Sequence, residues 1–104
     1  MFKDMDVKIQ EQDSVMTASL IGRLDTAAAI EVTKALQPMM DNAGKTLVMD
    51  CSEMSYISSS GLRIFLTLRK AAAAAGGKVI VRGMNPDIRQ IFMMTGFLNL
   101  FEVE

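Results

Sequence analysis

The sequence predicts an α/β fold in which helices pack on a four- or five-stranded mixed sheet, in the order β-β-α-β-α-β-α-β. Two stretches of alternating apolar and polar residues open the chain, and short apolar runs then alternate with stretches of helical periodicity. Right-handed crossovers between such units make the last four strands parallel or nearly so. Half of the 104 residues are apolar, so we expect one domain, residues 1–104.

The two opening stretches, residues 5–11 and 14–21, are predicted to pair as an antiparallel hairpin. Gln12 and Asp13 connect them in this interpretation. The alternation is clearer in the second stretch, and Gly22 is expected to end its strand.

The first helix is predicted over residues 26–41. Asp25 or Thr26 can cap it by accepting a hydrogen bond from a free backbone amide of the first turn. Pro38 lies inside the pattern, so the helix should stop or bend near Gln37. The predicted buried stripe is Ala28, Val32, Leu36 and Met39.

Residues 45–51 form a short apolar run, which is typical of a strand buried on both faces. Helical spacing returns from Ser59 or Ser60 to Ala75, and the glycine pair that starts at Gly76 ends this second helix. The predicted buried stripe is Leu62, Phe65, Leu66, Arg69 and Ala73.

The last third of the chain repeats the pattern. A buried strand is predicted over residues 78–81, and Pro86 after Asn85 suits the first position of a helix that Gly96 ends. Its buried stripe is Ile88, Ile91 and Phe92. Residues 97–103 are predicted as the final strand.

The composition excludes several kinds of chemistry. The chain has no histidine and one cysteine, Cys51, so a Ser-His-Asp triad and a standard zinc site are both excluded. The motifs GxSxG, GxxxxGK[ST] and GxGxxG do not occur. We therefore expect no catalytic residue, no cofactor and no metal, and we expect Cys51 to act as a small buried hydrophobe.

The charges argue against two classes of partner. The net charge is -1 and both signs are scattered, so no basic stripe is available for nucleic acid or anionic lipid. No apolar run approaches the ~20 residues of a membrane span, and the first ten residues are too charged for a signal peptide. We expect a cytoplasmic protein that neither binds nucleic acid nor inserts in a membrane.

Three consecutive serines, Ser58, Ser59 and Ser60, precede Gly61 where the second predicted helix begins. They follow the carboxyl end of a central strand, where open α/β sheets usually present ligands and reactive groups. The free amides and partial positive charge of a helix N-terminus favour a phosphate, and Gly61 leaves the first turn open to a bulky anion. One serine can instead be the N-cap, and both roles can coexist on neighbouring residues.

The run KTLVMDCSEMSYISSSGLRIFL, residues 45–66, has an apolar strand ending in Asp, a serine two residues later, and a Ser-Ser-Gly-Leu helix start. In these features it resembles the central segment of the STAS domain family, in particular the bacterial anti-sigma factor antagonists. GRLDTAAA, residues 22–29, is similar to the family's Gly-x-Leu-Asp turn and first helix. Residues 77–103 resemble its closing strand, helix and strand, so the likeness covers nearly the whole chain.

The resemblance implies a binding protein under phosphoserine control. In the family, the unphosphorylated antagonist binds an anti-sigma factor that is also a serine kinase, and so frees a sigma factor. Phosphorylation abolishes binding, and a metal-dependent serine phosphatase reverses it. Aligned on Ser-Gly-Leu, the phosphoacceptor is Ser59 and Ser60 is the second hydroxyl. Asp25 matches the acidic residue of the Gly-x-Leu-Asp turn, which lies near the phosphorylation turn in the family fold.

The chain departs from the family motif at Ser58, where the family has an aspartate before the phosphoacceptor. The exchange removes a negative charge beside the acceptor, which lowers repulsion toward an added phosphate. It also removes a potential recognition feature for the kinase or the phosphatase. Ser58 is therefore a second candidate acceptor.

Partner contacts are expected from the turn at residues 22–26, from residues 58–61 and from the exposed face of the second helix. That face carries Arg63, Thr67 and Lys70, for which a simply solvated surface is the alternative. Two other functions stay open at this point. One is a constitutive STAS scaffold, such as a small subunit of a lipid-transport ATPase or of a signalling complex. The other is an enzyme or nucleotide-binding protein that holds a phosphate at the helix N-terminus.

Overall fold

The computed structural model describes residues 5–104. They form a five-stranded sheet of order β1-β2-β3-β4-β5, in which β1 is antiparallel to β2 and all other neighbours are parallel. The strands are β1 (Met5–Gln12), β2 (Val15–Leu24), β3 (Thr46–Ile57), β4 (Lys78–Arg82) and β5 (Glu102–Val103). The helices are α1 (Thr26–Ala35), α2 (Gln37–Met40), α3 (Ser59–Ala75), α4 (Pro86–Met94) and a short 3-10 helix (Phe97–Asn99). The predicted α/β fold, mixed sheet and element order are confirmed.

The crossover helices all pack on one face of the sheet. Strands β2 to β5 follow one another across the sheet in chain order, so right-handed crossovers place each connecting helix on the same side. Apolar residues of α1, α3 and α4 join one core with alternate residues of the central strands, among them Leu20, Leu47 and Val81. The opposite face carries a row of polar residues at paired positions: Lys8, Ser19, Asp50 and Arg82.

The predicted hairpin is present, with its turn one residue later than expected. Gln12 pairs with Val15, so the two connecting residues are Asp13 and Ser14, with φ of 53° and 66°. Two-residue hairpin turns with positive φ match the twist of the strands, and aspartate tolerates this conformation better than glutamine does. Gln12 therefore belongs to β1 and not to the turn.

Strands β2 and β3 are both longer than the sequence pattern predicts. β2 continues past Gly22 to Leu24, and β3 continues six residues past Cys51 to Ile57. Two register shifts accompany this extension, and at each of them β3 contains one residue more than the facing stretch of β2. Such bulges break the two-residue alternation. The buried residues consequently recur every third position, at Cys51, Met54 and Ile57.

The first helical segment is interrupted at Leu36, as Pro38 predicts. α1 ends at Ala35, and α2 begins at Gln37 with Pro38 in its first turn, where a missing amide hydrogen costs no hydrogen bond. The buried positions are Ala29, Val32, Leu36 and Met39, whereas the predicted Ala28 is only half-buried.

Helix α3 has the predicted bounds but is rotated about its axis relative to the predicted stripe. Its buried residues are Gly61, Leu62, Phe65, Leu68 and Ala72. Leu66 and Arg69 are half-buried and Ala73 is exposed. Arg69 lies at the side of the helix, where its Nε donates a 2.6 Å hydrogen bond to the carbonyl oxygen of Leu100.

The predicted final strand over residues 97–103 is wrong for most of its length, because only Glu102–Val103 pairs with β4. Phe97 and Phe101 would lie about 13 Å apart in a strand, at 3.3 Å per residue. Their ring centroids are 6.3 Å apart, and both rings pack against Phe92. This aromatic cluster is compatible with the 3-10 turn and not with an extended chain.

Candidate functional site

The candidate site lies at the sheet edge where β2 and β3 end side by side. Leu24 pairs with Ile57, and the Ser58 amide donates a 2.9 Å hydrogen bond to the Leu24 carbonyl oxygen. The next residue of each strand is a helix cap, Asp25 for α1 and Ser58 for α3. The N-termini of two neighbouring helices therefore open at the same edge.

Both caps use a side-chain oxygen to satisfy a free amide of the first turn. Asp25 Oδ1 accepts a 2.8 Å hydrogen bond from the Ala28 amide, and Ser58 Oγ accepts one of 3.1 Å from the Gly61 amide. Each such cap stabilises its helix by about 1 kcal/mol. The prediction that Asp25 lies near the serine turn agrees with this geometry.

The three serines occupy different environments. Ser58 is 9% exposed and is committed to the cap. Ser59 is exposed at the first position of α3, and Ser60 is half-buried. The Ser59 hydroxyl is thus open to solvent without any change at the helix start, whereas the Ser58 hydroxyl is held in the cap.

Gly61 has a packing role that differs from the one predicted. It is buried, and a Cβ atom added to it would lie 2.7 Å from Leu24 Cγ and 2.8 Å from Ile57 Cγ1. The first turn of α3 therefore rests directly on the ends of β2 and β3. Gly61 allows this close approach and does not open the backbone to an anion.

The charges near Ser59 are mixed. Arg63 is exposed one turn further along α3, four residues after Ser59, and residues at this spacing are neighbours on a helix surface. Within residues 5–104, no carboxylate lies within ion-pair distance of its guanidinium group. The helix dipole and Arg63 favour an anion at Ser59, while the Asp25 carboxylate on the neighbouring helix opposes one.

A second feature of this edge is a cation–π pair. The Arg23 guanidinium lies 4.5 Å from the centroid of the Tyr56 ring, at the paired ends of β2 and β3. Tyr56 is 39% exposed, so this pair forms part of the surface around the serine turn.

A groove of about 490 Å³ runs from the serine turn between α1–α2 and α3. We call it the α1/α3 groove. It is lined by Thr26, Ala29, Ile30, Thr33, Leu36, Gln37, Met40, Ser60, Arg63, Ile64, Thr67 and Leu68. Of the predicted partner-binding residues, Arg63 and Thr67 line the groove, and Lys70 is exposed outside it.

Sequence reasoning did not identify the α1/α3 groove. Its exposed rim includes Ile30, a residue that is 63% exposed. Ile30 is a large apolar residue that does not belong to the buried stripe of its helix. An apolar residue outside the buried stripe was the only sequence feature that could have indicated the groove. It is a weak indication, because single exposed hydrophobic residues are common.

Residues 5–104 contain no group of three or more metal-ligating His, Cys, Asp or Glu side chains. No helix in the same range is long and apolar enough to cross a membrane.

Comparison with protein-family models gives a match to the STAS domain over residues 6–104. Among curated proteins, BtrV of Bordetella bronchiseptica, which carries the name of an anti-sigma factor antagonist, is 29% identical over 99 residues. The match covers 95% of this chain and 85% of BtrV. The anti-sigma-B factor antagonist of Listeria monocytogenes is 24% identical, with 97% of this chain and 90% of the relative covered.

Solved structures give the same fold. An anti-sigma factor antagonist from Mycobacterium paratuberculosis superposes with a TM-score of 0.81 at 23% identity, covering 95% of this chain and 84% of that one. The Bacillus cell fate determinant SpoIIAA in its phosphorylated form superposes with a TM-score of 0.73 at 18% identity, covering 95% and 91%.

Proposed function

The chain belongs to the STAS domain family, and from this premise we propose that it is an anti-sigma factor antagonist controlled by phosphorylation of Ser59. Unphosphorylated, it binds an anti-sigma factor that is also a serine kinase, and so frees a sigma factor for transcription. The observation that carries the proposal is that two neighbouring serines of the turn have different environments. Ser58 is buried as the cap, and Ser59 is exposed beside it.

The geometry supports Ser59 over Ser58 as the acceptor. The Ser58 oxygen already accepts a hydrogen bond from the Gly61 amide. If the Ser58 side chain moved into a kinase active site, the Gly61 amide would lose this acceptor, and the helix would lose about 1 kcal/mol of stability. Ser59 needs no such rearrangement because its side chain is outside the core.

A phosphate on Ser59 would be compatible with the fold. It adds about -1.5 to -2 charges at the positive end of a 17-residue helix, which is locally favourable by about 0.3–1 kcal/mol. The same charge inside a desolvated interface, or next to an acidic partner group, is unfavourable. Phosphorylation therefore switches binding and leaves the domain folded.

The Ser58 departure from the family motif is consistent with this role. Serine and aspartate are about equally good N-cap residues, so Ser58 can replace the motif's aspartate without loss of the helix start. The capping function is retained, and only the negative charge is lost.

The remaining members of the cycle follow from the same proposal. A serine phosphatase removes the phosphate and restores the form that binds the anti-sigma factor. Because the sigma factor and the two enzymes act in the cytoplasm, the protein acts there too. The chain itself acts as a binding partner and not as an enzyme.

The test is to incubate the protein with the anti-sigma factor of the same genome and Mg-ATP, and to locate any phosphate by mass spectrometry. We expect one phosphate on Ser59, the same phosphate on a Ser58→Ala variant, and none on Ser59→Ala. The absence of phosphate on the wild type, or phosphate on Ser58 of the Ser59→Ala variant, would contradict the proposal. A complex with a transporter ATPase that ATP does not alter would point to the scaffold function instead.

A further inference from the structure

The α1/α3 groove is a trough between two helices that run in the same direction. Both helices return from the carboxyl ends of parallel strands, and both begin at the same sheet edge. The lining of α3 runs from Ser60 to Leu68, which spans about 12 Å at 1.5 Å per residue. A third helix can lie along a trough of this length with about two of its turns, at 5.4 Å per turn.

The groove is mainly apolar and partly exposed. Ala29, Leu36 and Leu68 form its buried floor, and Ile30 lies at its rim and is 63% exposed. An exposed aliphatic side chain continuous with an apolar floor is typical of a protein-binding surface. Helix-in-groove recognition uses such surfaces, with apolar anchors at positions i, i+3, i+4 and i+7 of the bound helix.

The charge and the position of Arg63 indicate which kind of residue a bound helix would carry. Among the described residues that line the groove, Arg63 is the one that carries a charge, and it lies toward the end where Ser60 lies. An acidic residue on the occupant would therefore match the groove at this end. A second copy of this chain that used the same groove face would bring a second Arg63, and not an acidic residue, to the interface.

From these observations we propose that the α1/α3 groove binds an amphipathic helix of the anti-sigma factor, with an acidic residue of that helix beside Arg63. This inference rests on the proposed function. It also gives the switch a physical cause, because Ser59 precedes the groove-lining Ser60 by one residue. A phosphate there repels the partner's acid and competes with it for Arg63.

The experiment compares binding of the anti-sigma factor to Ile30→Asp and to Met94→Asp, measured by isothermal titration calorimetry. Met94 is the matched control because it is 77% exposed on α4, outside the groove. We expect Ile30→Asp to weaken binding at least tenfold and Met94→Asp to change it less than twofold. Circular dichroism should show both variants folded, since both side chains are largely exposed.

A photo-reactive p-benzoylphenylalanine at position 30 identifies the occupant. Cross-linking to an apolar helical segment of the anti-sigma factor that contains an acidic residue supports the proposal. Cross-linking only to a second copy of this chain, or wild-type affinity of Ile30→Asp, overturns it. If Ile30→Asp binds normally while Ser59→Asp does not, the groove proposal fails and the phosphoserine switch survives. If neither variant loses affinity, the proposed function fails as well.

Discussion

The Gly61 amide donates a 3.1 Å hydrogen bond to the hydroxyl oxygen of Ser58. This bond joins the residue that departs from the family motif to the glycine that the motif retains. It explains how the chain tolerates serine at position 58, because the oxygen that the helix start needs is still supplied. It also holds the Ser58 oxygen in the helix cap, whereas the Ser59 side chain is exposed.

The capping role of Ser58 predicts the order of stability of variants substituted at this position. Ser58→Ala removes the acceptor for the Gly61 amide and should lower the free energy of unfolding by about 1 kcal/mol. Ser58→Asp should stay within about 0.5 kcal/mol of wild type, because aspartate is an equally good cap. Urea denaturation of the three proteins checks the order, and equal stability of Ser58→Ala and wild type would contradict the capping role.

Gly61→Ala should destabilise the domain even though alanine is the better helix former. The added Cβ would meet Leu24 Cγ at 2.7 Å and Ile57 Cγ1 at 2.8 Å, and overpacking of this kind costs about 1–3 kcal/mol. The gain in helix propensity, about 1 kcal/mol, offsets only part of this cost. We expect a net loss of up to about 2 kcal/mol in urea denaturation.

The control for Gly61→Ala is Ser60→Ala in the same turn, which adds no atom toward the strands and should change the stability by less than about 0.5 kcal/mol. A Gly61→Ala variant more stable than wild type would show that α3 can move away from the sheet, contrary to the packing described.

The phosphorylated protein should be at least as stable as the unphosphorylated one at low salt. The phosphate would lie at the positive end of α3 and four residues before Arg63, and each interaction is worth a few tenths of a kcal/mol to about 1 kcal/mol. Arg63→Ala should therefore reduce the gain in melting temperature that phosphorylation produces. Thr67→Ala, one turn further along α3, is the matched control and should leave that gain unchanged.

The Cys51 thiol predicts a loss of stability at alkaline pH. Burial, together with the nearby Asp50 charge, raises the pKa of this thiol to about 12 from a value of 9.0. Below pH 9 the thiol is protonated in both the folded and the unfolded chain. Above pH 9 only the unfolded chain loses the proton, so stability falls by up to about 4 kcal/mol as the pH approaches 12.

Unfolding of wild type and Cys51→Ala between pH 8 and 11 checks this prediction. Lysine and tyrosine titrate in both proteins, so the difference between their free energies of unfolding reports the contribution of the Cys51 thiol alone. A wild-type curve parallel to that of Cys51→Ala would show that the thiol ionises as easily in the folded protein as in the unfolded one.

Much of this fold could be predicted from local patterns. The alternation in β2, the interruption caused by Pro38, the cap at Asp25 and the helix start at Pro86 depend on neighbouring residues alone. The register shifts of β3 could not be predicted, because they depend on how β2 and β3 pair over their last residues. A pattern of buried residues every third position, ending at Ile57, resembles neither a regular strand nor a helix.

The site was predictable to the level of the turn but not beyond it. The spacing and the family motif together predicted that Ser58, Ser59 and Gly61 lie between a central strand and the second helix, and the structure has them there. The assignment of the cap to Ser58 and the packing role of Gly61 required the three-dimensional contacts with Leu24 and Ile57. The α1/α3 groove required the relative placement of two helices that are distant in the sequence.

The most direct test of the central claim is the affinity of Ser59→Asp for the anti-sigma factor, measured beside Ser59→Ala and wild type. We expect Ser59→Asp to bind at least tenfold more weakly, Ser59→Ala to bind like wild type, and all three to melt within about 4 °C of one another. Wild-type affinity of Ser59→Asp would contradict the account. A loss of affinity explained by unfolding of Ser59→Asp would contradict it equally, because a charge at the exposed start of α3 should leave the domain folded.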